Sequence, residues 1–213
     1  MHFRTYIAKQ LGDSLVSEKK FEQLELYVNE LLRWNKKINL TAIVDIENCW
    51  EKHIYDSLLL VSSLNDCGSF LDIGSGAGLP SIPLKIILPN LHVLSIDSVE
   101  KKINFQRHMV RLLGFTYYMA KAARIESLEN QYSGQFDVVT SRAFASLKLF
   151  IQHALPFVKR EGVILAMKGA LVEDEIVEAE DCLVKNDLYI SKRISCFLPI
   201  SGAKREILQI RFK

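Results

Sequence analysis

The sequence predicts an α/β fold: a mainly parallel sheet with helices on both faces, ended by an antiparallel hairpin and preceded by a helical extension. Three observations carry that expectation. From Phe70 onward, short apolar runs alternate with segments long enough for crossover helices, the pattern of parallel strands. The first run passes directly into glycines at 74, 76 and 78, a strand-to-helix turn. The last two runs, Tyr189–Leu198 and Arg205–Phe212, are separated by Pro199-Ile200-Ser201-Gly202-Ala203, a loop suited to an antiparallel pair.

At 213 residues and 49% hydrophobic, the chain is long enough for one well-cored unit with a short extension. We place the extension at 1–64 and the sheet domain at 65–213. Phe21, Leu24, Val28 and Leu31 recur at helical spacing, with Tyr27 and Leu32 widening the stripe and Ser17 placed to cap it. Asn35-Lys36-Lys37-Ile38-Asn39-Leu40-Thr41 breaks the pattern, and a second helix follows from about Ile46, with Trp50, Ile54, Leu58 and Val61 on one face. Residues 1–20 hold charges and no signal-peptide core, and no apolar run reaches the eighteen or so residues of a membrane span. The cysteines (Cys49, Cys67, Cys182, Cys196) form no C-x-x-C pair, and the histidines (His2, His53, His92, His108, His153) are scattered. Reduced thiols, no metal, a cytoplasmic location and a monomer are the expectations.

The parallel strands are expected at Phe70–Gly74, His92–Asp97, Phe115–Ala120, Phe136–Ala143 and Gly162–Lys168. Pro83 and Pro89 bound the first crossover helix, since proline is tolerated near a helix start. No internal repeat or low-complexity linker interrupts the pattern.

The glycine turn decides which ligand the sheet suits. A dinucleotide fingerprint, G-x-G-x-x-G/A, needs a third small residue at position 79, where this chain has Leu79. The third glycine is Gly78, and a G-x-G-x-G turn resembles the first motif of S-adenosylmethionine-dependent methyltransferases of the Rossmann-like class. Asp97 ends the second strand about twenty residues on, where a carboxylate can accept from both hydroxyls of a ribose. The same residue could also open a capping box with Glu100, and the two roles can coexist. Turn and acid together point to an adenosyl ligand, with Gly74, Ser75, Gly76, Gly78 and Asp97 as its contacts.

Ligands of such sheets sit outside the carboxyl ends of the strands. There lie Ala122-Ala123-Arg124-Ile125-Glu126, Ser141-Arg142-Ala143-Phe144-Ala145-Ser146 and Lys168-Gly169. No Asn/Asp-Pro-Pro-aromatic loop for exocyclic amines follows the fourth strand. No cysteine is placed for pyrimidine carbon 5, and no acid completes a cluster for a 2′-hydroxyl. An acceptor needing no general base remains, and guanine N7 is one, because its lone pair carries no proton. No single side chain stands out as a chemical catalyst; Arg142 and Lys168 are the candidates.

Charge is uneven along the chain. Residues 97–124 hold six basic groups against two acidic, residues 188–213 six against one, and residues 172–187 one against seven. Such asymmetry can orient a polyanion, although solvated helix faces produce it too.

Asn39-Leu40-Thr41-Ala42, Lys52-His53-Ile54-Tyr55-Asp56-Ser57-Leu58, the run Leu71–Leu84, Ser141-Arg142-Ala143-Phe144-Ala145-Ser146-Leu147 and Lys168-Gly169 follow one another in order. Together they resemble the bacterial small-subunit ribosomal RNA guanine-N7 methyltransferases, formerly called glucose-inhibited division protein B, over nearly the whole chain. The resemblance implies a seven-stranded methyltransferase sheet and N7 methylation of a guanine in 16S ribosomal RNA by S-adenosylmethionine. It places cofactor contacts at Gly74, Leu79, Ile125, Glu126 and Arg142. RNA contacts are expected from Lys36, Lys37, Arg107, Arg111, Arg124 and Lys168. The alternatives are an enzyme of this fold acting on another RNA or a small molecule, an NAD-dependent dehydrogenase, and a non-catalytic RNA-binding module.

Overall fold

A computed structural model describes residues 3–12, 15–64, 68–142, 146–170 and 172–213. His2, Cys67 and the Ala143-Phe144-Ala145 portion of the Ser141–Leu147 motif lie outside the described residues.

The extension begins with α1 (Phe3–Leu11) and α2 (Glu18–Ile38). Ser17 caps α2, its hydroxyl accepting from the Lys20 amide, and Asn39 ends the helix in the left-handed conformation at φ 46°. The expected stripe faces inward: Phe21, Leu24, Tyr27, Val28 and Leu31 are buried. What the spacing reads as one helix from Ile46 is a composite. It comprises α3 (Ile46–Cys49), a π-helical turn (Trp50–Tyr55), α4 (Asp56–Leu58) and a 3₁₀ turn (Val61–Ser63). Trp50 fixes this composite to the earlier helices. Its ring stacks on Phe21 at 5.1 Å and on Phe3 at 6.1 Å. Truncating so large a buried side chain costs about 3–5 kcal/mol.

Seven strands form one sheet: β1 (Ser69–Ile73), β2 (His92–Asp97), β3 (Tyr118–Ala122), β4 (Phe136–Arg142), β5 (Val158–Lys168), β6 (Leu188–Phe197) and β7 (Lys204–Phe212). Their order is β3-β2-β1-β4-β5-β7-β6. The first five pair in parallel, and β7 runs antiparallel to both β5 and β6. The helices between strands are α5 (Ser81–Ile87), α6 (Glu100–Leu113), α7 (Glu129–Tyr132), α8 (Leu147–Ala154) and α9 (Val172–Lys185). The third strand begins at Tyr118 rather than Phe115. Gly114 closes α6 at φ 64° and the Phe115 amide still bonds the Val110 carbonyl, so Phe115 belongs to the helix exit. The fifth strand starts four residues early, at Val158.

One apolar cluster joins Phe3, Leu24 and Trp50 of the extension to Phe70, Val138 and Leu165 of the sheet. The other fills the opposite face, beneath α8 and α9. Glu51 adds a polar tie across the same junction: one carboxylate oxygen accepts from the Ile200 and Ser201 amides at 2.6 and 2.7 Å, pinning the hairpin loop. Among the described residues no helix is long and apolar enough to cross a membrane. The strand order reverses at β1, which has β2 on one side and β4 on the other. Ligand sites of open α/β sheets form at such reversals.

Candidate active site

The turn after β1 is built almost wholly from backbone and neutral side chains. The Ser75 amide donates to the Ile96 carbonyl at 3.0 Å, and the Gly78 and Leu79 amides both donate to the Ser75 carbonyl at 2.9 Å. Gln106 of α6 braces it from below, its amide nitrogen donating to Ser75 Oγ and the Gly76 carbonyl, both at 2.8 Å. Ser95 and the Tyr118 hydroxyl donate to the Gln106 carbonyl oxygen, and the Tyr118 and Ser81 hydroxyls share a further bond at 2.9 Å. From the extension, the Tyr27 hydroxyl donates to the Ala77 carbonyl at 3.1 Å.

Asp97 is where turn and second strand meet. One carboxylate oxygen accepts from the Gly76 amide and the other from the Val99 amide, each at 2.8 Å. The residue preceding α6 is Val99, which makes no side-chain cap, so the capping box with Glu100 is not the arrangement formed. Asp97 instead ties the glycine turn to the end of β2.

A cleft of about 300 Å³ opens over the ends of β1, β2 and β3. Gly74, Asp97, Ile125 and Glu126 line it, with Ile73, Ile96 and Arg124 beside them. Four residues singled out on separate sequence grounds therefore share one cavity. The remaining turn residues lie elsewhere. Ser75 and Leu79 are buried in the turn's interior, and Gly78 packs on α5, where an added Cβ would stand 2.5 Å from Ile82 Cδ1. Gly76 presents its backbone, with open space where a Cβ would be.

Asp72, which sequence reading absorbs into an apolar strand, is fully buried on β1. One oxygen accepts from the Ser81 amide at 3.3 Å, and Oδ1 has no hydrogen-bond partner. Burial pushes its carboxyl up to about 7, against the opposing pull of the Ser81 bonds and the Arg142 charge. Burial therefore favours its neutral form, and a positive charge brought close would favour the ionised one.

A second cleft, of about 350 Å³, lies over the ends of β4 and β5 and is lined by Ile43, Lys52, Asp56, Arg142, Lys168 and Arg205 among others. Arg142 belongs to this cleft and not to the first. Its guanidinium donates to the Lys52 carbonyl at 2.6 Å and to His53 Nδ1 at 3.0 Å, and stands 3.6 Å from the Asp56 carboxylate. Asp56 in turn accepts from Arg205 at 2.8 Å. Lys168 is buried and paired with Glu175 at 2.6 Å. Glu175 also accepts from the Leu147 amide, which fixes the start of α8. Lys52, His53, Asp56 and Arg205 were not singled out as site residues from the sequence.

The expected RNA contacts separate into two groups. Lys36, Lys37, Arg111 and Arg124 are exposed. Arg107 is held by Glu100 at 2.6 Å and by the Ala120 carbonyl, and Lys168 by its ion pair.

Comparison with known proteins fits this geometry. Residues 20–200 match the family model GidB, described as rRNA small subunit methyltransferase G. The chain is 42% identical over 203 residues to the ribosomal RNA small subunit methyltransferase G of Geobacter sp. (strain M21), covering 95% of this chain and 93% of that protein. To the protein of the same name from Geotalea uraniireducens (strain Rf4) it is 43% identical over 201 residues, covering 94% and 91%. Among solved structures, an O-methyltransferase from Bacillus cereus in complex with SAH superposes with a TM-score of 0.64 at 15% identity, over 97% of this chain and 96% of that one. That likeness shows the methyltransferase fold. The chain belongs to the GidB family of small-subunit ribosomal RNA methyltransferases, and it is an enzyme that transfers a methyl group from S-adenosylmethionine.

Proposed function

We propose that the first cleft holds the methyl donor, that the second receives the target guanine, and that N7 is the methylated atom. The observation that supports this reading is a pair of clefts over the same end of one sheet, one at β1–β3 ringed by Gly74, Asp97 and Ile125, the other at β4 and β5 ringed by Arg142 and Lys168, with β1 and β4 paired side by side. When bound, S-adenosylmethionine supplies a methyl group activated on a sulfonium. The residues fit it: Asp97 offers carboxylate oxygens at the cleft wall and Ile125 an apolar surface for a flat ring, while Asp72, buried on β1 behind the turn, is a carboxyl that a cationic donor would ionise.

The chain's own work is then binding and alignment. Asp97 accepts from ribose hydroxyls while keeping Gly76 in place. Arg142 and Lys168 hold the polar edge of the base and its phosphate, so that N7, methyl and sulfur stand in line. Guanine N7 has no proton to lose, so no side chain need act as a base, and positioning with water excluded supplies the rate. The exposed Lys36, Lys37, Arg111 and Arg124 meet the phosphates of the small-subunit RNA, in the cytoplasm, with the protein acting as a monomer.

Mass mapping of modified nucleotides in 16S RNA, from cells with and without the gene, tests the assignment. A 7-methylguanosine that disappears with the gene supports it; an unchanged map defeats it. Asp97→Ala is expected to weaken S-adenosylmethionine binding by about 10–100-fold, as two charge-assisted acceptors are lost. Titration calorimetry reads this directly, and an unaltered dissociation constant would leave Asp97 a purely structural tie. Reversing Lys36, Lys37 and Arg124 together is expected to flatten the salt dependence of RNA binding, by a slope of about 0.7–0.9 per phosphate contact removed. A full slope in that triple variant would move the RNA to another face.

A further inference from the structure

Three stretches far apart in the chain converge on one guanidinium. Arg142 ends β4, His53 lies in the π-helical turn, and Thr41 follows α2. The π turn makes the meeting possible. The Asp56 amide reaches back five residues to the Glu51 carbonyl, widening the helix at Lys52 and His53. There the Lys52 carbonyl takes one Arg142 N–H at 2.6 Å and the imidazole takes another at 3.0 Å.

The proton positions follow from the donors. His53 Nδ1 stands 3.2 Å from the Lys52 carbonyl and 3.0 Å from Arg142 Nη2; a guanidinium has N–H groups and no acceptor, so the shorter contact assigns Nδ1 as the bare nitrogen. The ring proton is then on Nε2, 2.8 Å from Thr41 Oγ1, which accepts it and also accepts from the Ile43 amide at 3.1 Å. Thr41 is itself held: Asn35 Oδ1 accepts from the Leu40 and Thr41 amides at 2.6 and 2.9 Å, and Asn35 Nδ2 donates to the Thr41 carbonyl. Each member of the chain Asn35–Thr41–His53–Arg142 is thus oriented by the one before it. The imidazole is buried beside a cation, both of which hold it neutral, with its pKa pushed down to about 3.

We propose that His53 is a positioning residue for methyl transfer: its Thr41-fixed imidazole accepts from Arg142 and so aims the guanidinium into the second cleft, at the target base. A guanidinium free to swing would spend most of its time off the productive geometry, and small misplacements at a reacting centre cost large factors in rate. The inference rests on the reading that the second cleft receives the guanine.

Two amide substitutions differing by one methylene test it. In His53→Asn the side-chain oxygen falls near the place of Nδ1 and can still accept from Arg142. In His53→Gln the amide reaches toward Thr41 and leaves Arg142 without that acceptor. With rRNA as substrate, His53→Asn is expected to keep kcat/KM within about threefold of wild type, and His53→Gln to lose about 30-fold or more, chiefly in kcat. S-adenosylmethionine affinity and Tm should stay close to wild type in both. In an Arg142→Lys background the two variants should become equal, because histidine acts only through the arginine. Equal rates for Asn and Gln in the wild-type background, or the same loss for Gln in the Arg142→Lys background, would overturn the proposal. Turnover by wild type at an atom other than guanine N7 would instead reject the reading of the substrate. If Gln fails to fold while Asn is active, His53→Leu in the thermally matched range decides in its place, with the same expected loss.

Discussion

Asp72→Asn is expected to make the free protein more stable above pH 7 while lowering its affinity for S-adenosylmethionine by about tenfold. The two effects have one origin. Burial pushes the native carboxyl up to about 7 from an ordinary value of 3.8, so between those limits the folded state binds a proton that the unfolded state does not. Stability therefore falls as pH rises from about 4 to 7 and stays at the lower level beyond. Some three pH units correspond to about 4 kcal/mol as an upper bound at 1.36 kcal/mol each. Asparagine escapes that penalty but leaves a buried amide N–H unpaired, at about 1–3 kcal/mol, so a net gain of about 1–3 kcal/mol at pH 8 is expected. Urea melts at pH 5 and pH 8 measure it: the wild-type decline between them should flatten in the variant. An identical decline would show that Asp72 is not the group responsible. A donor bearing an ammonium and a sulfonium favours the ionised carboxyl, so binding near pH 7 should also release a fraction of a proton, and Asp72→Asn should abolish that release.

Gly78→Ala is expected to be the most damaging single methyl in the turn, costing about 2–4 kcal/mol. The added Cβ would lie 2.5 Å from Ile82 Cδ1 and 2.7 Å from Ile82 Cγ1, and φ is +87°, where an L side chain is strained even in open space. Gly74→Ala provides the contrast. At φ +69° it bears the backbone strain, about 1–2 kcal/mol, but its Cβ would meet only Ser141 Oγ at 4.0 Å. Gly74 lines the first cleft, so this methyl should act on donor affinity more than on folding. Thermal melts and calorimetry on the pair separate the two roles. A Gly78→Ala protein as stable as Gly74→Ala would show that α5 gives way at Ile82 at little cost.

That contrast also marks how far the sequence could be read. Three glycines at alternate positions announce the turn, because few other sequences permit repeated positive φ, and Asp97 announces the neighbouring strand end. Spacing alone does not distinguish a glycine that faces a ligand from one that faces a helix: Gly78 was grouped with the contacts, yet its neighbour is Ile82. The sheet was legible down to its antiparallel hairpin, since each strand is a local apolar run. The second cleft was legible only in part. Arg142 and Lys168 end strands, where chemistry is sought. Lys52, His53 and Asp56 lie in a segment whose spacing imitates an ordinary amphipathic helix. Their significance comes from partners 89 and 90 residues away on β4, and from Arg205, 149 residues on. Asp72 was hidden for a simpler reason: one acid inside an apolar strand carries no periodic signature of what surrounds it.

The scaffold beneath the turn is made of Ser75, Ser81, Ser95, Gln106 and Tyr118, groups that carry no formal charge. The two carboxyls that do touch it, Asp72 and Asp97, are buried, where dissolved ions screen little. Capture of the methyl donor should accordingly be nearly indifferent to potassium chloride over a range in which adhesion to ribosomal RNA collapses. Ionic strength thus becomes a dial by which the enzyme can be loaded in one step and presented to its polyanion in the next.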